Sequence, residues 1–395
     1  MSSLCRRSMI RGLIAAAVRL PRTTGETLDQ DGMLRIDGKR TFVHGLYQTP
    51  KHIDGIRAAA DAGFHVIHAA AERDVLDKIR ARGLRCWLTV GSDPARIRKI
   101  VGEFGTHPAV LFWETEDEPS YQWKKPGPRI PPEKIKAAYA LLKQLDAKRL
   151  VYLNHSPTNL ISTLQAYNPG GDILATDIYP VIPHGIRELY ALWPSGRHGD
   201  LSDTHISQAG RYADKIRQVA GPSRATFIVL QAFAWENLRE KNRDRAAVLY
   251  PTREQLRFMA WQAIVHGVNG ILWWGLSYNT EGSKVWQDVA AVVSEMKLHE
   301  VAVNGASEKM PLDLTYRDTG HSIDRGVEWI IKQAAGARLL VIVNSDPNPV
   351  DVDIHGLPGS GAVEAMPSPK GVQIAPRHLR VQLSPFGVQL FRIAT

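Results

Sequence analysis

The sequence lacks the features that mark several protein classes. It has only two cysteines in 395 residues, Cys5 and Cys86, too few for a disulfide framework. No apolar run approaches the ~18 residues that a membrane-spanning helix needs. There is no Gly-x-Ser-x-Gly elbow, no Walker loop and no histidine spacing typical of a zinc site. We therefore expect no metal, no cofactor and no membrane partner, and a buried, inert thiol at Cys86.

Positive charge is concentrated at the N-terminus. Lys and Arg number 49 and Asp and Glu 40, for a net charge of +9. Five of the arginines fall in residues 1–22, which contain no acidic residue, so the rest of the chain is only mildly basic. Because no Lys/Arg stripe with interleaved aromatic residues remains, a nucleic-acid partner is not expected.

Residues 1–30 have the composition of a leader. A twin arginine, Arg6-Arg7, is followed by the small apolar stretch 12–18. This pattern predicts an export signal and a periplasmic or secreted protein. The alternatives are a disordered basic N-terminus or a wrongly assigned start codon. Nothing in the sequence indicates an oligomeric state.

Eight short apolar segments, each followed by a helix-like stretch, dominate residues 31–305. They are 42–47, 64–70, 85–90, 110–113, 150–154, 173–179, 227–232 and 271–276. Alternation of strand and helix predicts a parallel sheet, and eight units over this length predict an α/β fold, a closed (β/α)8 TIM barrel. The alternative, a doubly wound open sheet, usually has a Gly-rich phosphate loop after its first strand, and this chain has none.

Two further regions flank this pattern. Residues 33–42 contain an Asp37-Gly38 turn between short apolar runs, a hairpin signature, and such a hairpin could close the barrel floor. Residues 306–395 change to short strands separated by Gly/Pro turns, which predicts a small all-β, sandwich-like domain. An insert over 183–222, with Arg197 and His198, is expected to form one wall of the cleft.

Catalytic residues of barrel enzymes lie at the C-terminal ends of the strands. The fourth strand runs into four carboxyl groups within five positions, Glu114, Glu116, Asp117 and Glu118. Like charges this close raise one another's pKa, which keeps a carboxyl group protonated for acid catalysis. A solvated acidic loop is the simpler alternative, but the apolar strand and the adjacent Trp113 favour an active site.

Other strand ends carry polar and aromatic residues suited to binding a sugar. The predicted contacts are Tyr47, His68, Trp113, Glu116, Asp117, Asn154, His155, Tyr179, Gln231, Trp235, Trp273, Trp274 and Tyr278. Sugars stack on aromatic faces, and amides and carboxylates bind their hydroxyl groups. Because neighbours on a strand point in opposite directions, one of Trp273 and Trp274 is expected to lie in the core.

These motifs resemble clan A-type glycoside hydrolases and their uncharacterised bacterial relatives over about residues 33–300. Asp117-Glu118-Pro119 is similar to the Asn-Glu-Pro motif of that clan, whose Glu is the acid/base. The stretches 177–180 and 250–274 are also similar, and the tail resembles accessory β domains. The resemblance implies a glycosidase with Glu118 as the general acid and a carbohydrate as the partner.

The chain departs from the clan at the nucleophile. The resemblance places a glutamate at the end of the seventh strand, where this sequence has Gln231, and an amide cannot attack an anomeric carbon. Asp177 and Glu236 are the alternative nucleophiles or bases. In a third alternative, Glu116 orients a neighbouring group of the substrate, and the reaction then needs no protein nucleophile.

Two other functions remain open at this point. Loss of the nucleophile would suit a carbohydrate-binding barrel without catalysis. A non-hydrolytic barrel enzyme acting on sugars, such as a lyase or isomerase, is the other possibility. The dense carboxyl cluster favours a hydrolase over a protein that only binds.

Overall fold

A computed structural model describes residues 27–121, 127–183, 205–239, 241–279, 283–317, 326–334, 336–357, 363–366 and 371–394. The predicted leader up to residue 26 and the insert residues Arg197 and His198 lie outside this part. None of the described helices combines the length and apolar character that crossing a bilayer requires.

Three short antiparallel strands precede the barrel. They are β1 (Thr27–Leu28), β2 (Leu34–Ile36) and β3 (Lys39–Thr41). The predicted hairpin is confirmed between β2 and β3, and both turn residues, Asp37 and Gly38, have positive φ. That conformation fits the right-handed twist of the two strands and explains the Asp-Gly pair. Leu34 is fully buried in the apolar cluster inside the barrel, so the hairpin closes its floor.

Eight parallel strands close into a barrel, as predicted. In chain order they are β4 (Val43–Leu46), β5 (Val66–His68), β6 (Arg85–Thr89), β7 (Val110–Glu114), β8 (Leu150–His155), β9 (Ile173–Ile178), β10 (Ala225–Gln231) and β11 (Gly270–Trp274). Each strand pairs with the next in sequence, and β11 pairs with β4 to complete the ring. The open-sheet alternative is therefore wrong.

Helices cover the outside of the barrel. Those described are α1 (Gly55–Ala62), α2 (Arg73–Ala81), α3 (Pro94–Phe104), α4 (Pro132–Leu145), α5 (Ile161–Gln165), α6 (Gln208–Ala220), α7 (Arg253–Val265), α8 (Val285–Leu298) and α9 (Glu300–Val303). Their starts have local causes: Asp93 accepts a hydrogen bond from Arg96 N ahead of α3, and Thr252 and Gln255 form a capping box on α7.

Side chains alternate between two apolar layers along each strand. Residues such as Val66, Trp87, Phe112 and Tyr152 point into the barrel, and the cluster that they form fills its interior. The intervening residues point outward and pack against the helices. This parity decides which residues at the strand ends can reach the mouth of the barrel.

Residues after 306 form two antiparallel sheets over one apolar core. In the first sheet, neighbouring strands follow the order β12 (Ser307–Glu308), β14 (Val327–Ala334), β15 (Ala337–Asn344), β20 (Val388–Ala394) and β17 (Val363–Met366). In the second sheet, the order is β13 (Asp313–Tyr316), β16 (Val350–His355), β19 (His378–Leu383) and β18 (Val372–Ala375). Their shared cluster includes Leu340 and Phe391 from the first sheet and Ile354 and Val381 from the second. The first sheet also packs on the barrel helices through Leu339 and Val341.

Candidate functional site

Carboxyl groups from two strand ends meet at the mouth of the barrel. The loop after β7 carries Asp117 and Glu118, and β9 carries Asp177 as an inward-facing residue. Glu118 and Asp177 share a side-chain hydrogen bond, with Glu118 as the donor. Asp117 lies close enough to raise the pKa of both. The carboxyl cluster predicted on one loop is thus completed by an aspartate from two strands away.

The backbone at Glu118 is in the left-handed region, with φ of 45°. A non-glycine residue adopts this conformation at an energetic cost, and such strain is common at active sites. Two backbone hydrogen bonds hold it: Glu118 N donates to Asn154 O over 3.1 Å, and Tyr121 N donates to Glu118 O over 3.0 Å. The following Pro119 and Ser120 are buried. The surroundings therefore hold the Glu118 side chain in one direction.

Asn154 on β8 links two of the carboxylates. Its Nδ2 donates to Asp117 Oδ1 over 3.0 Å and lies 3.4 Å from Asp177 Oδ1. The nearby hydroxyl group of Tyr179 lowers the pKa of Asp177 as a hydrogen-bond donor. Asp177 thus receives donors from Glu118, Tyr179 and Asn154, an arrangement that suits its ionised form.

Burial is the main cause of the raised pKa values in this cluster. It raises the pKa of Glu118 well above the ordinary value, and the negative charges of Asp177 and Asp117 add to the effect. Burial and Asp117 raise the pKa of Asp177 to about 7, although its hydrogen-bond donors oppose the change. Burial also raises the pKa of Asp117, opposed by Asn154 and Arg129. One proton is therefore shared by the Glu118–Asp177 pair near neutral pH.

Solvent still reaches the upper part of the cluster. Asp117 is exposed and Glu118 is half-buried, whereas Asp177 is only 7% exposed. Surrounding protein atoms thus remove much of the hydration of these groups without sealing them off. A substrate can contact Asp117 and Glu118 directly.

A second polar layer lies beneath the cluster. Glu114, the last residue of β7, is 1% exposed, and its Oε2 accepts hydrogen bonds from Trp87 Nε1 over 3.2 Å and from Thr89 Oγ1 over 2.5 Å. Burial and the charge of Asp117 raise the pKa of Glu114 to about 8. His68 Nε2 lies 2.9 Å from Thr89 Oγ1, and burial lowers the pKa of His68 to about 4, so this ring is neutral.

Tyr47, which directly follows β4, belongs to the same polar layer beneath the cluster. Its hydroxyl oxygen lies 2.7 Å from that of Tyr152, and its ring meets Trp87 edge-on. Tyr47 is 9% exposed. Tyr47 thus supports the carboxyl cluster from below, and the predicted contact of Tyr47 with substrate stays a prediction.

An aromatic wall adjoins Asp177. Tyr179 and Trp274 stack with ring centroids 5.4 Å apart, Phe233 meets Trp274 edge-on at 4.9 Å, and Tyr278 lies 5.3 Å from Trp274. Trp274 is half-buried and Tyr278 is 41% exposed, so both rings present surface to solvent. Trp235 is buried behind them, and its Nε1 donates to Tyr179 O over 3.1 Å.

Three predicted contacts point away from the mouth. Trp113 and Trp273 belong to the outer layer, where Trp113 Nε1 donates to Asp146 Oδ2 over 3.1 Å. His155 is fully buried on the outer side of β8, with its ring edge-on to Tyr167, and burial lowers its pKa to about 3. Strand parity is the reason: each is next to an inward-facing residue. These residues serve packing, and the expectation that they touch substrate needs correction.

Two residues considered for the nucleophile position are occupied by structural contacts. Gln231 is fully buried; its Oε1 accepts from Val181 N over 2.8 Å, and its Nε2 donates to Val181 O and Phe233 O. Glu236 is 1% exposed, accepts from Asp244 N over 2.6 Å and lies 3.3 Å from Arg239 Nε. Neither side chain has a group free to meet a substrate, so neither expectation is supported.

Glu116 also turns away from the other carboxyl groups. Its Oε1 accepts hydrogen bonds from both Ser92 N and Ser92 Oγ over 2.7 Å. Glu116 therefore ties the loop after β7 to the loop after β6. A role in orienting the substrate would require these bonds to break.

Sequence reasoning missed several residues around the cluster. Tyr121 and Arg129 lie near Glu118, where the positive charge of Arg129 partly offsets the carboxylates. Thr89, Trp87 and Tyr152 complete the lower layer. Thr89 and Tyr152 could have been found from strand parity, because both are inward-facing, but Tyr121 and Arg129 carry no sequence signal. Among the described residues, no group of three or more His, Cys, Asp or Glu could hold a metal ion.

No protein-family model matches the sequence, and no curated protein does. Solved structures share the fold. A glycoside hydrolase family 5 structure from Bacteroides vulgatus ATCC 8482 aligns with a TM-score of 0.61 at 10% identity, covering 94% of this chain and 93% of that chain. A family 30 subfamily 8 xylanase from Clostridium acetobutylicum gives 0.51 at 9% identity over 90% and 97%. A beta-galactosidase from the psychrophilic Marinomonas ef1 gives 0.53 at 9% over 89% and 100%. The chain therefore shares the barrel fold of these three structures.

Proposed function

We propose that this protein is a glycoside hydrolase in which Glu118 is the general acid and Asp177 is its partner carboxylate. The observation that carries the proposal is the meeting of Glu118 and Asp177 at the mouth of the barrel, where each carboxyl group changes the pKa of the other. One member holds a proton and the other a charge, which is the pairing that cleavage of a glycosidic bond needs. The fold shared with glycoside hydrolases agrees with it.

The chemistry follows from the two protonation states. Glu118 transfers its proton to the glycosidic oxygen as the bond from that oxygen to the anomeric carbon breaks. The positive charge that develops on the sugar is stabilised by the carboxylate of Asp177. Asp177 then either bonds to the anomeric carbon or takes a proton from the water that attacks it. A water molecule completes the reaction in both cases.

The spacing of the pair has a consequence for binding. Retaining enzymes hold their carboxyl groups about 5–5.5 Å apart and inverting enzymes about 6.5–9.5 Å apart. A direct hydrogen bond is shorter than either spacing. In our proposal the substrate enters between Glu118 and Asp177, breaks their hydrogen bond and leaves the acid facing the glycosidic oxygen.

Asp117 and the aromatic wall would hold the sugar. Asp117 is exposed, fixed by Asn154 and able to accept hydrogen bonds from sugar hydroxyl groups. Trp274 and Tyr278 offer aromatic faces on the Asp177 side. A sugar ring that stacks there would have its hydroxyl edge directed toward the carboxylates.

Wild type, Glu118→Gln, Asp177→Asn and Glu236→Gln should be incubated with a panel of poly- and oligosaccharides. Released sugar and binding are both measured, and NMR records the anomer formed first. Glu236→Gln is the matched control, since Glu236 is another buried carboxylate, outside the cluster. We expect release by wild type and the control, and a loss of roughly 1,000-fold or more in the other two.

A carbohydrate-binding barrel without catalysis is the second candidate. The observation in its favour is Gln231, whose amide is fully engaged with Val181 and Phe233 where the resemblance expects a nucleophile. Binding of a glycan by wild type and Glu118→Gln alike, without release of sugar by either, would establish this alternative. Hydrolysis that survives in Glu118→Gln would exclude both candidates as stated.

A further inference from the structure

Glu114 is a buried carboxyl group that the proposed reaction does not use. It ends β7 beneath Asp117 and is 1% exposed. Within the described part of the chain, no Lys, Arg or His nitrogen lies at ion-pair distance from it, and its neighbours from the strands are Tyr47, Trp87, Thr89 and Tyr152. An isolated charge at such a place is very costly.

The two oxygens of Glu114 have different surroundings. Oε2 accepts from Trp87 Nε1 and Thr89 Oγ1, so that oxygen already acts as an acceptor. Oε1 is buried and has no hydrogen-bond partner among the described residues. A buried carboxylate is stabilised by donors on both oxygens, and here only Oε2 has them. The geometry therefore disfavours the charged form of Glu114.

We propose that Glu114 is a positioning residue that works as a neutral acid and thereby keeps the neighbouring Asp117 ionised beneath a bound sugar. This inference rests on the proposed function. A buried carboxylate beside a second negative charge is costly, so a proton on buried Glu114 leaves the charge on the more exposed Asp117. Asp117 is the member with a donor, Asn154 Nδ2 at 3.0 Å, and with access to solvent.

The charge on Asp117 in turn acts on the general acid. Burial raises the pKa of Glu118 most, and the charges of Asp177 and Asp117 raise it further. Glu114 would thus support the proton on Glu118 indirectly, without touching the substrate. The titratable groups that face Glu114 are Tyr47 directly after β4, His68 on β5 through Thr89 on β6, Tyr152 on β8 and Asp117 itself.

Infrared spectroscopy tests the protonation state without any substrate. Wild type at neutral pH should show protonated-carboxyl C=O absorption from Glu114 and from the Glu118–Asp177 pair. The Glu114 component should be lost in Glu114→Gln and kept in Glu118→Gln and in Glu236→Gln, where the change affects a carboxyl group paired with Arg239. In Glu118→Gln, which lacks the proton of the general acid, the Glu114 component should disappear as the pH is raised through about 8. This titration decides the question even if Glu114→Gln folds poorly. A Glu118→Gln spectrum without such a component overturns the proposal.

The pH profile of hydrolysis tests the coupling to Glu118. In wild type, Glu114 and Glu118 both lose protons on the alkaline side, and their repulsion broadens the decline in kcat/KM. Glu114→Gln removes one of these protons, so we expect a steeper decline with a one-proton slope. If Glu114 were charged, the variant would lack a negative charge and the whole decline would move to lower pH. That result overturns the proposal.

Failure of this inference and failure of the proposed function give different results. A missing Glu114 component in an active hydrolase removes the role of Glu114 alone. A band with the predicted titration in a protein that hydrolyses no glycan removes the proposed function and the positioning role with it.

Discussion

Asn154 Nδ2 lies 3.0 Å from Asp117 Oδ1, so an amide on β8 holds a carboxylate that the loop after β7 supplies. The same nitrogen lies 3.4 Å from Asp177 on β9. Three consecutive strand ends are thereby joined at one atom. In addition, the carbonyl oxygen of Asn154 accepts from Glu118 N, so this residue fixes both the charge and the backbone of the site.

Replacing Asn154 by Ala should impair catalysis more than folding. The change removes a donor from Asp117 and Asp177 but keeps the backbone bond to Glu118. A hydrogen bond to a charged group is worth about 1.5–3 kcal/mol, which predicts a loss of kcat/KM of roughly 10- to 100-fold.

Because Asn154 Nδ2 also lies 3.4 Å from Asp177 Oδ1, the Ala variant should lack a donor to ionised Asp177, and its acidic limb should move to higher pH. Steady-state kinetics over a pH series measures both effects. A variant with the wild-type acidic limb would contradict the role assigned to this amide.

The rate of hydrolysis should depend on pH in an unusual range. Asp177 must be ionised, and its pKa of about 7 means that activity increases as the pH rises through that value. Glu118 must be protonated, and its raised pKa means that activity decreases only at higher pH. Measurement of kcat/KM against pH tests this. A plateau that begins near the ordinary aspartate pKa of 3.8 would be inconsistent with the buried pair.

The aromatic wall should contribute to affinity through the face of Trp274. Trp274→Ala should weaken carbohydrate binding roughly tenfold or more, which corresponds to about 1.4 kcal/mol. Trp113→Phe is the matched control, because Trp113 faces the helices and its main loss is the bond to Asp146, worth about 1 kcal/mol. Calorimetric titration and thermal unfolding separate the two effects. Equal affinity in wild type and Trp274→Ala would show that the sugar binds elsewhere.

His266 should make stability depend on pH where the barrel meets the C-terminal sheet. Its Nδ1 lies 3.0 Å from Asp214 on α6 and its Nε2 lies 3.1 Å from Glu328 on β14. Burial opposes the charged ring, but these two carboxylates raise the pKa of His266 to about 9. The protonated ring stabilises the fold fully below pH 6.5, which is the pKa of the histidine in the unfolded chain. This contribution is lost as the pH rises through about 9.

Urea unfolding on either side of this window measures the contribution. We expect a decrease on the order of 2 kcal/mol in the free energy of unfolding between pH 6.5 and pH 9, since exposed Asp214 is screened by solvent. His266→Gln should remove most of that pH dependence. If His266→Gln retains the full decrease in the free energy of unfolding, other titratable groups cause that decrease.

Much of the fold could be predicted because its signals are local. Each apolar strand segment, each helix with its cap and the Asp37-Gly38 turn depend on residues close in sequence. The same holds for the placement of Asp117, Glu118 and Asp177 at strand ends. The leader, the domain boundary at 305 and the substrate remain predictions.

The sequence by itself determined an eight-stranded barrel with carboxylates at its mouth, because strand count and strand ends follow from short-range patterns. Only the tertiary structure decided that Asp177, and not Glu236, meets Glu118. Glu236 is bonded to Asp244 N and Arg239, and Gln231 is bonded to three backbone groups. Such pairings depend on which side chains the closed ring brings into contact, and no spacing along the chain encodes that contact.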